Sequence, residues 1–111
     1  MSLTFFTGDD WDILITLNRN GTPQDVSGAS SIDASIVSSD DDNVTTLIAA
    51  VSLNSGATGA DWSNGVVLAE FPAASTGVAT GIAYVELQVT EGGKKTTWPR
   101  QAIIVKTGTI D

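Results

Sequence analysis

The residues with the greatest capacity for chemistry in this sequence are its carboxylates, because histidine and cysteine are both absent. A serine triad takes its general base from histidine, and structural zinc sites take thiolate or imidazole ligands. Neither kind of site can be built here in its usual form, and the glycines form no phosphate-binding loop. The composition therefore predicts a protein that is not an enzyme, with no catalytic residues, no cofactor and no resident metal.

The densest group of carboxylates is the run Asp40-Asp41-Asp42-Asn43. Hard oxygen ligands of this kind can bind Ca²⁺. The run lacks the alternate-position spacing, the central glycine and the distal glutamate of a calcium loop. Adjacent like charges are more typical of a solvated hairpin turn, and this is our interpretation, with calcium binding as the alternative.

Five other acids stand at positions that could have chemical meaning: Asp9, Asp10 and Asp12 around the start of the first predicted strand, and Glu70 and Glu86 inside later strands. We interpret the three aspartates as an acidic strand entry. The two glutamates could pair as acid and base, but both have the outward phase of their alternating strands. Two solvent-facing positions are therefore the preferred interpretation.

The three tryptophans are more informative than the acids. Trp11 is in phase with the inward side chains of its strand, so we predict that it lies in the core. Trp62 lies in a polar loop, and Trp98 directly precedes Pro99. Either ring could plug the open end of a sandwich, or it could anchor an interface, because tryptophan is enriched in binding hot spots. Both are candidate interface residues.

A C-terminal hairpin is the clearest of the elements that must position these side chains. Residues 81–90 alternate between an apolar and a mostly polar face, which is typical of a half-buried strand. Gly92 and Gly93 accept the positive φ of a tight turn, so residues 95–106 should return antiparallel to the first arm. Pro99 interrupts this return arm, and we predict a bend or a change of partner there.

Alternating or apolar runs at residues 11–17, 31–38, 44–51 and 65–71 predict further strands. Turn signals separate them at a spacing of roughly 8 to 12 residues, and about seven strands in all predict an all-β, antiparallel, immunoglobulin-like sandwich. The predicted inward residues are Trp11, Ile13, Ile15, Ile32, Ile36, Val67, Phe71, Val85, Leu87, Val89 and Ile104.

Length and charge limit the organisation and the partners. The 111 residues are the size of one domain, and we assign residues 1–111 to a single β-sandwich. With 13 acids and 5 bases the net charge is −8, and the bases form no run that could neutralise successive phosphates. We therefore expect neither nucleic acid nor a membrane as a partner. The N-terminus has no basic region followed by a long apolar run, so we expect no secretion signal.

Four segments carry a resemblance to a known family. They are Gly8-Asp9-Asp10-Trp11, the turn from Asn20-Gly21-Thr22-Pro23 to Gly28-Ala29, Gly65-Val66-Val67-Leu68, and the arm from Gly81-Ile82-Ala83-Tyr84 to Thr90. Together they resemble the immunoglobulin-like β-sandwich modules of tailed-bacteriophage virion proteins. They are similar to the N-terminal domain of baseplate upper proteins and to small tail or fibre-associated proteins. Asn20 replaces the usual aspartate of the turn, and Val26 replaces leucine.

The resemblance implies a structural role in the virion, in the tail, the baseplate or the head-to-tail joint. Such a protein would be assembled in the bacterial host cytoplasm, with other virion proteins as partners. The alternative is a carbohydrate- or receptor-binding module, in which Trp62 and Trp98 would stack on sugar rings and acidic loops would hold calcium.

The strand predicted at residues 44–51 is the best candidate for an assembly surface. It contains no proline and no charge and is apolar on both faces, so its edge could pair with another chain. We predict an interface that includes Thr46 and Ile48, closed by symmetry in a homo-oligomer. The acidic residues 40–42 would repel a misaligned copy. The alternative is a central strand that its own domain covers on both faces.

Overall fold

Two β-sheets pack face to face over one hydrophobic core in this computed structural model, which describes residues 3–39 and 43–107. Two short 3₁₀ turns, Trp62–Asn64 and Ala73–Ser75, are the helical segments of the described part. The strands are β1 (Leu3–Phe6), β2 (Trp11–Thr16), β3 (Asn18–Arg19), β4 (Thr22–Pro23), β5 (Ser31–Val37), β6 (Thr46–Ser52), β7 (Val66–Phe71), β8 (Gly81–Glu91), β9 (Lys94–Thr97) and β10 (Gln101–Lys106).

The strand order confirms the predicted fold class. The large sheet has the order β1-β10-β8-β5-β6, with β9 also paired to β8, and the small sheet consists of β2 and β7. The succession β10-β8-β5-β6 corresponds to strands G, F, C and C′ of a variable-type immunoglobulin sandwich, and β2-β7 corresponds to strands B and E. The chain is therefore an all-β, immunoglobulin-like sandwich.

The core follows the period-2 pattern of the strands. In β2 the side chains alternate strictly between buried and exposed, which places Trp11, Ile13 and Ile15 against the large sheet. Of the predicted inward residues, Ile104 is the one that the structure contradicts, because its neighbours Ile103 and Val105 are buried instead. Residues 102–105 are all apolar, so the sequence does not show which of them face the core. A register shift of one residue exchanges the inward and outward faces.

The C-terminal hairpin has the predicted turn, and its return arm keeps the same partner strand. Gly92 and Gly93 have φ angles of 59° and 79°, as a two-residue hairpin turn requires. Thr97 pairs with Gln88 on β8, and Gln101 pairs with Val85, so three residues of the return arm lie opposite two of β8. Pro99 is thus accommodated by a β-bulge within one continuous pairing rather than by a change of partner.

The strand β1 was not predicted, and it makes the large sheet mixed rather than antiparallel. It pairs parallel to β10, with Leu3 opposite Ile103. Its four residues lack an alternating pattern long enough to be recognised in the sequence. A hydrogen bond ties it to β2, because the indole N–H of Trp11 donates to the carbonyl oxygen of Phe6 over 2.8 Å.

The strand β6 lies at the edge of the large sheet, and its described pairing is with β5 alone. This contradicts the alternative of a central strand covered on both sides. The pairing is irregular: Ala34 faces Val51 and Ile36 faces Ile48, but Val37 faces Thr46, so β6 carries two extra residues. Bulges of this kind twist an edge and disturb its ladder of free hydrogen-bonding groups.

Candidate functional site

Trp62 lies at one end of the sandwich and joins two loops to the core. It begins the 3₁₀ turn before β7, its ring packs against the buried cluster, and its carbonyl oxygen accepts a 2.8 Å hydrogen bond from the amide of Val26. The indole nitrogen is buried and has no acceptor among the described residues. This placement agrees with a side chain that plugs the end of the sandwich, which leaves only part of the ring for a partner.

Gly65 allows this end of the sandwich to close. Its φ is 74°, and a Cβ atom there would lie 2.6 Å from the carbonyl oxygen of Gln24 and 2.9 Å from that of Leu17. The amide of Leu17 donates a 2.7 Å hydrogen bond to the Gly65 carbonyl. Both the dihedral angle and the close backbone approach therefore require glycine.

Two carboxylates organise the loops beside Trp62. Asp61 accepts hydrogen bonds of 2.6 Å from Ser63 Oγ and from Asn64 Nδ2, and these bonds lower the pKa of Asp61 below its usual value. Asp25 accepts 2.6 Å and 2.8 Å bonds from the hydroxyl and amide of Ser27, which lower the pKa of Asp25. Both carboxylates therefore stabilise local turns by hydrogen bonding to residues two or three positions along the chain.

Trp98 lies at the β-bulge of the C-terminal hairpin. Its amide donates a 2.9 Å hydrogen bond to the carbonyl of Leu87, its ring packs against the core, and its indole nitrogen is buried without an acceptor among the described residues. The guanidinium carbon of Arg19 lies 5.2 Å from the ring centroid, within the range of a cation–π contact. The arginine therefore occupies ring surface that a stacked sugar would need.

Two shallow cavities flank Trp98. One of about 260 Å³ is lined by charges of both signs, including Arg19, Asp25, Glu91 and Lys94. The other, of about 180 Å³, opens beside the end of β2 and is lined mainly by apolar side chains such as Leu17 and Leu87.

Thr46 and Ile48, the candidate interface residues on β6, have different environments. Thr46 is exposed at the free edge of the large sheet. Ile48 is only 4% exposed and belongs to the core of its own chain. Of the two, Thr46 is available for contact with a partner, and the interface at this edge stays a prediction.

Of the acids that the sequence suggested, Asp10, Asp12 and Glu70 lie beside one shallow cavity, but Glu70 and Glu86 do not meet. Glu70 lies on the small sheet and Glu86 on the large sheet, where it pairs with Arg100 at 2.6 Å. Asp10 accepts a 2.7 Å hydrogen bond from the amide of Ala73, and Asp12 lies opposite Glu70. Residues 40–42, the calcium candidate, lie outside the described residues. Over residues 3–39 and 43–107, no three acids are grouped so that they could hold a metal ion.

The outer face of the large sheet carries an apolar patch that the sequence analysis did not identify. Its members have the outward phase of β1, β8 and β10, and Ile82 is 65% exposed while Phe6 is 40% exposed. We call this set the outer patch. It consists of Phe6, Ile82, Tyr84, Ala102 and Ile104. The sequence did contain a sign of this patch, because residues 102–105 are all apolar. When both faces of a strand are apolar, one of the two faces can lie outside the core.

No protein-family model matches this chain, and no curated protein has a significantly similar sequence. Within the described ranges, no helix is long and apolar enough to cross a membrane.

Proposed function

We propose that this chain is a non-catalytic structural component of a tailed phage or prophage, an assembly module of the tail, the baseplate or the head-to-tail joint. It acts by contact with other virion proteins and with further copies of itself. The resemblance of its turn and strand segments to virion β-sandwich modules supports this role.

The observation that carries the proposal is the set of sheet edges left open. Among the residues that the structure describes, the large sheet ends at β1 and β6, and the small sheet consists of β2 and β7. The hydrogen bond from the Leu17 amide to the Gly65 carbonyl continues the β2-β7 ladder. Hydrogen-bonded pairs alternate in antiparallel strands, so the backbone groups of Leu14 and Thr16 point away from β7. Open edges and apolar faces are means of assembly for a protein whose activity is contact.

The proposal is tested in phage particles from a strain that encodes this chain. Particles are purified on a density gradient, and the chain is quantified by mass spectrometry in each fraction, with an abundant host protein as the contamination control. The proposal predicts that the chain follows the major virion proteins at a fixed ratio and that the host protein does not. A chain present in the lysate but depleted from particles to the level of the host protein would contradict it.

A further inference from the structure

We infer that the outer patch is the surface through which two copies of this chain associate, large sheet against large sheet. The inference rests on the proposed function, since it names one partner of an assembly module. It identifies a different surface from the β6 edge that the sequence suggested.

The first argument is the apolar character of the patch. Ile104 lies directly between Thr4 of β1 and Ile82 of β8, and Ala102 lies opposite Tyr84. At about 4.8 Å between strands and about 6.8 Å between outward rows, its five members cover roughly 160 Å² of the sheet, beside the polar residues Thr4 and Lys106. Exposed apolar clusters rimmed by polar residues can mark interaction sites.

The charges around the outer patch favour a second copy of this chain as the partner. Two chains with a net charge of −8 repel each other over most of their surfaces. On this face, Glu86 of β8 is neutralised by Arg100 at 2.6 Å, and Asp33 of β5 lies outside the outer patch, beside Gln88, where it accepts a 2.9 Å hydrogen bond from Ser52. Lys106 of β10 lies beside Phe6 and adds a positive charge to this face. Two acidic chains can therefore meet here without bringing unpaired carboxylates together.

The outer face of the small sheet shows the opposite arrangement. Leu14 is a large apolar residue with a similar exposure of 53%, and it lies opposite Leu68. The next outward pair is Asp12 opposite Glu70, two carboxylates side by side. A second copy placed on this face would add two more acids to the pair. An exposed apolar residue is therefore not enough to identify the surface of association. The outer patch is favoured because it is both exposed and free of paired carboxylates.

The two apolar rows also define an orientation. Lys106 and Glu86 lie at opposite ends of the patch, with the rows of Ile82 and Tyr84 between them. A two-fold axis across the strands, between these two rows, stacks each strand on its own copy, so it packs Ile82 against the partner copy's Tyr84 and sets Lys106 beside the partner copy's ion pair of Arg100 and Glu86. Sheets pack in this way about 10 Å apart with their strands roughly aligned. The contact is isologous, so it closes as a dimer.

The test is sedimentation analysis of the full chain over a range of concentrations. Because the patch is small for an interface, we expect dimerisation with a dissociation constant of roughly 10 to 100 µM. Ile82→Lys should weaken association by at least about tenfold, because it places an ammonium group in the centre of the contact.

Two matched variants and a folding check complete the design. Leu14→Lys changes an equally exposed apolar residue on the small sheet, and Thr46→Lys changes the β6 edge; both should dimerise like the parent chain. Circular dichroism should show every variant folded, as expected for exposed positions. The inference would be overturned if the parent chain stays monomeric up to roughly 1 mM, because the patch would then bind some other protein.

It would also be overturned by a dimer that persists in the Ile82→Lys variant, or by a dimer that dissociates in the Thr46→Lys variant. Neither result would bear on whether the chain is found in particles.

Discussion

Ile104 on β10 lies directly opposite Ile82 on β8, and both side chains have the outward phase of the large sheet. The pairing is a consequence of the bulge at Trp98, Pro99 and Arg100, which sets the register of β10 against β8. The same bulge directs Ile103 and Val105 into the core. A single local feature of the hairpin therefore determines both the packing of the core and the composition of the outer patch.

Truncation of Leu87 to alanine should destabilise the protein by about 2 to 5 kcal/mol, because the side chain is buried between the two sheets and its removal leaves a cavity. Chemical denaturation measures the free energy of unfolding. Leu14→Ala is the control, since Leu14 is exposed, and it should cost under about 1 kcal/mol. Equal losses for the two variants would contradict the placement of Leu87 in the core.

Replacement of Gly65 by alanine should cost on the order of 2 to 4 kcal/mol. The new Cβ would collide with the carbonyl oxygens of Gln24 and Leu17, and the residue would keep a positive φ. Gly77→Ala is the matched control, because its Cβ would have no neighbour within 4 Å. Thermal melting of the two variants distinguishes them, and a Gly65→Ala protein as stable as the control would show that the loops can separate without cost.

Acidification should weaken the turn at Asp61. Its hydrogen bonds from Ser63 and Asn64 lower its pKa in the folded state below the ordinary value of 3.8. A lowered pKa contributes stability above the unfolded pKa, and this contribution is lost as the pH falls through the folded pKa. Asp61→Asn should therefore melt at a lower temperature than the parent chain at pH 7, with the difference shrinking as the pH falls below 3.8 towards the lowered pKa of the folded state. A difference that stays constant across this range would assign the effect to packing rather than to the carboxylate charge.

Loss of the Trp11 indole donor should release β1 from β2. Trp11→Phe removes the 2.8 Å hydrogen bond to the Phe6 carbonyl and part of a buried ring. We expect a loss of about 2 to 4 kcal/mol, and faster amide hydrogen exchange in β1 than in β5. Exchange in β1 that is no faster than in the parent chain would show that the parallel pairing with β10 alone holds this strand.

The fold was predictable where the sequence contains a strict period of two and strong turn residues. The alternation from Trp11 to Ile15 and the Gly92-Gly93 turn specify strand, phase and partner locally. The first strand was missed because its four residues are stabilised by long-range contacts, with β10 and with Trp11. Tertiary context of this kind leaves no local signal.

The candidate surfaces were less predictable, because they depend on register. An extra residue at the Pro99 bulge determines which of residues 102–105 face the core. The sequence does not reveal this bulge, and Ile104 was therefore wrongly predicted to lie in the core. Ile48 is buried because β6 carries two bulges, which period-2 counting does not foresee. Trp62 and Trp98 were identified as notable from composition alone, but the cation–π contact between Arg19 and Trp98 joins residues far apart in the sequence.

If this chain meets its own copies through the outer patch, the reactivity of a single thiol placed on that patch should depend on the protein concentration. The chain has no cysteine, so Ile82→Cys and Leu14→Cys each introduce one reporter. Maleimide labelling under reducing conditions is followed as the protein concentration rises from about 1 µM to roughly 300 µM. Labelling at position 82 should slow several-fold over this range, while labelling at position 14 stays constant. Constant labelling at both positions, or slowing at position 14 alone, would contradict it.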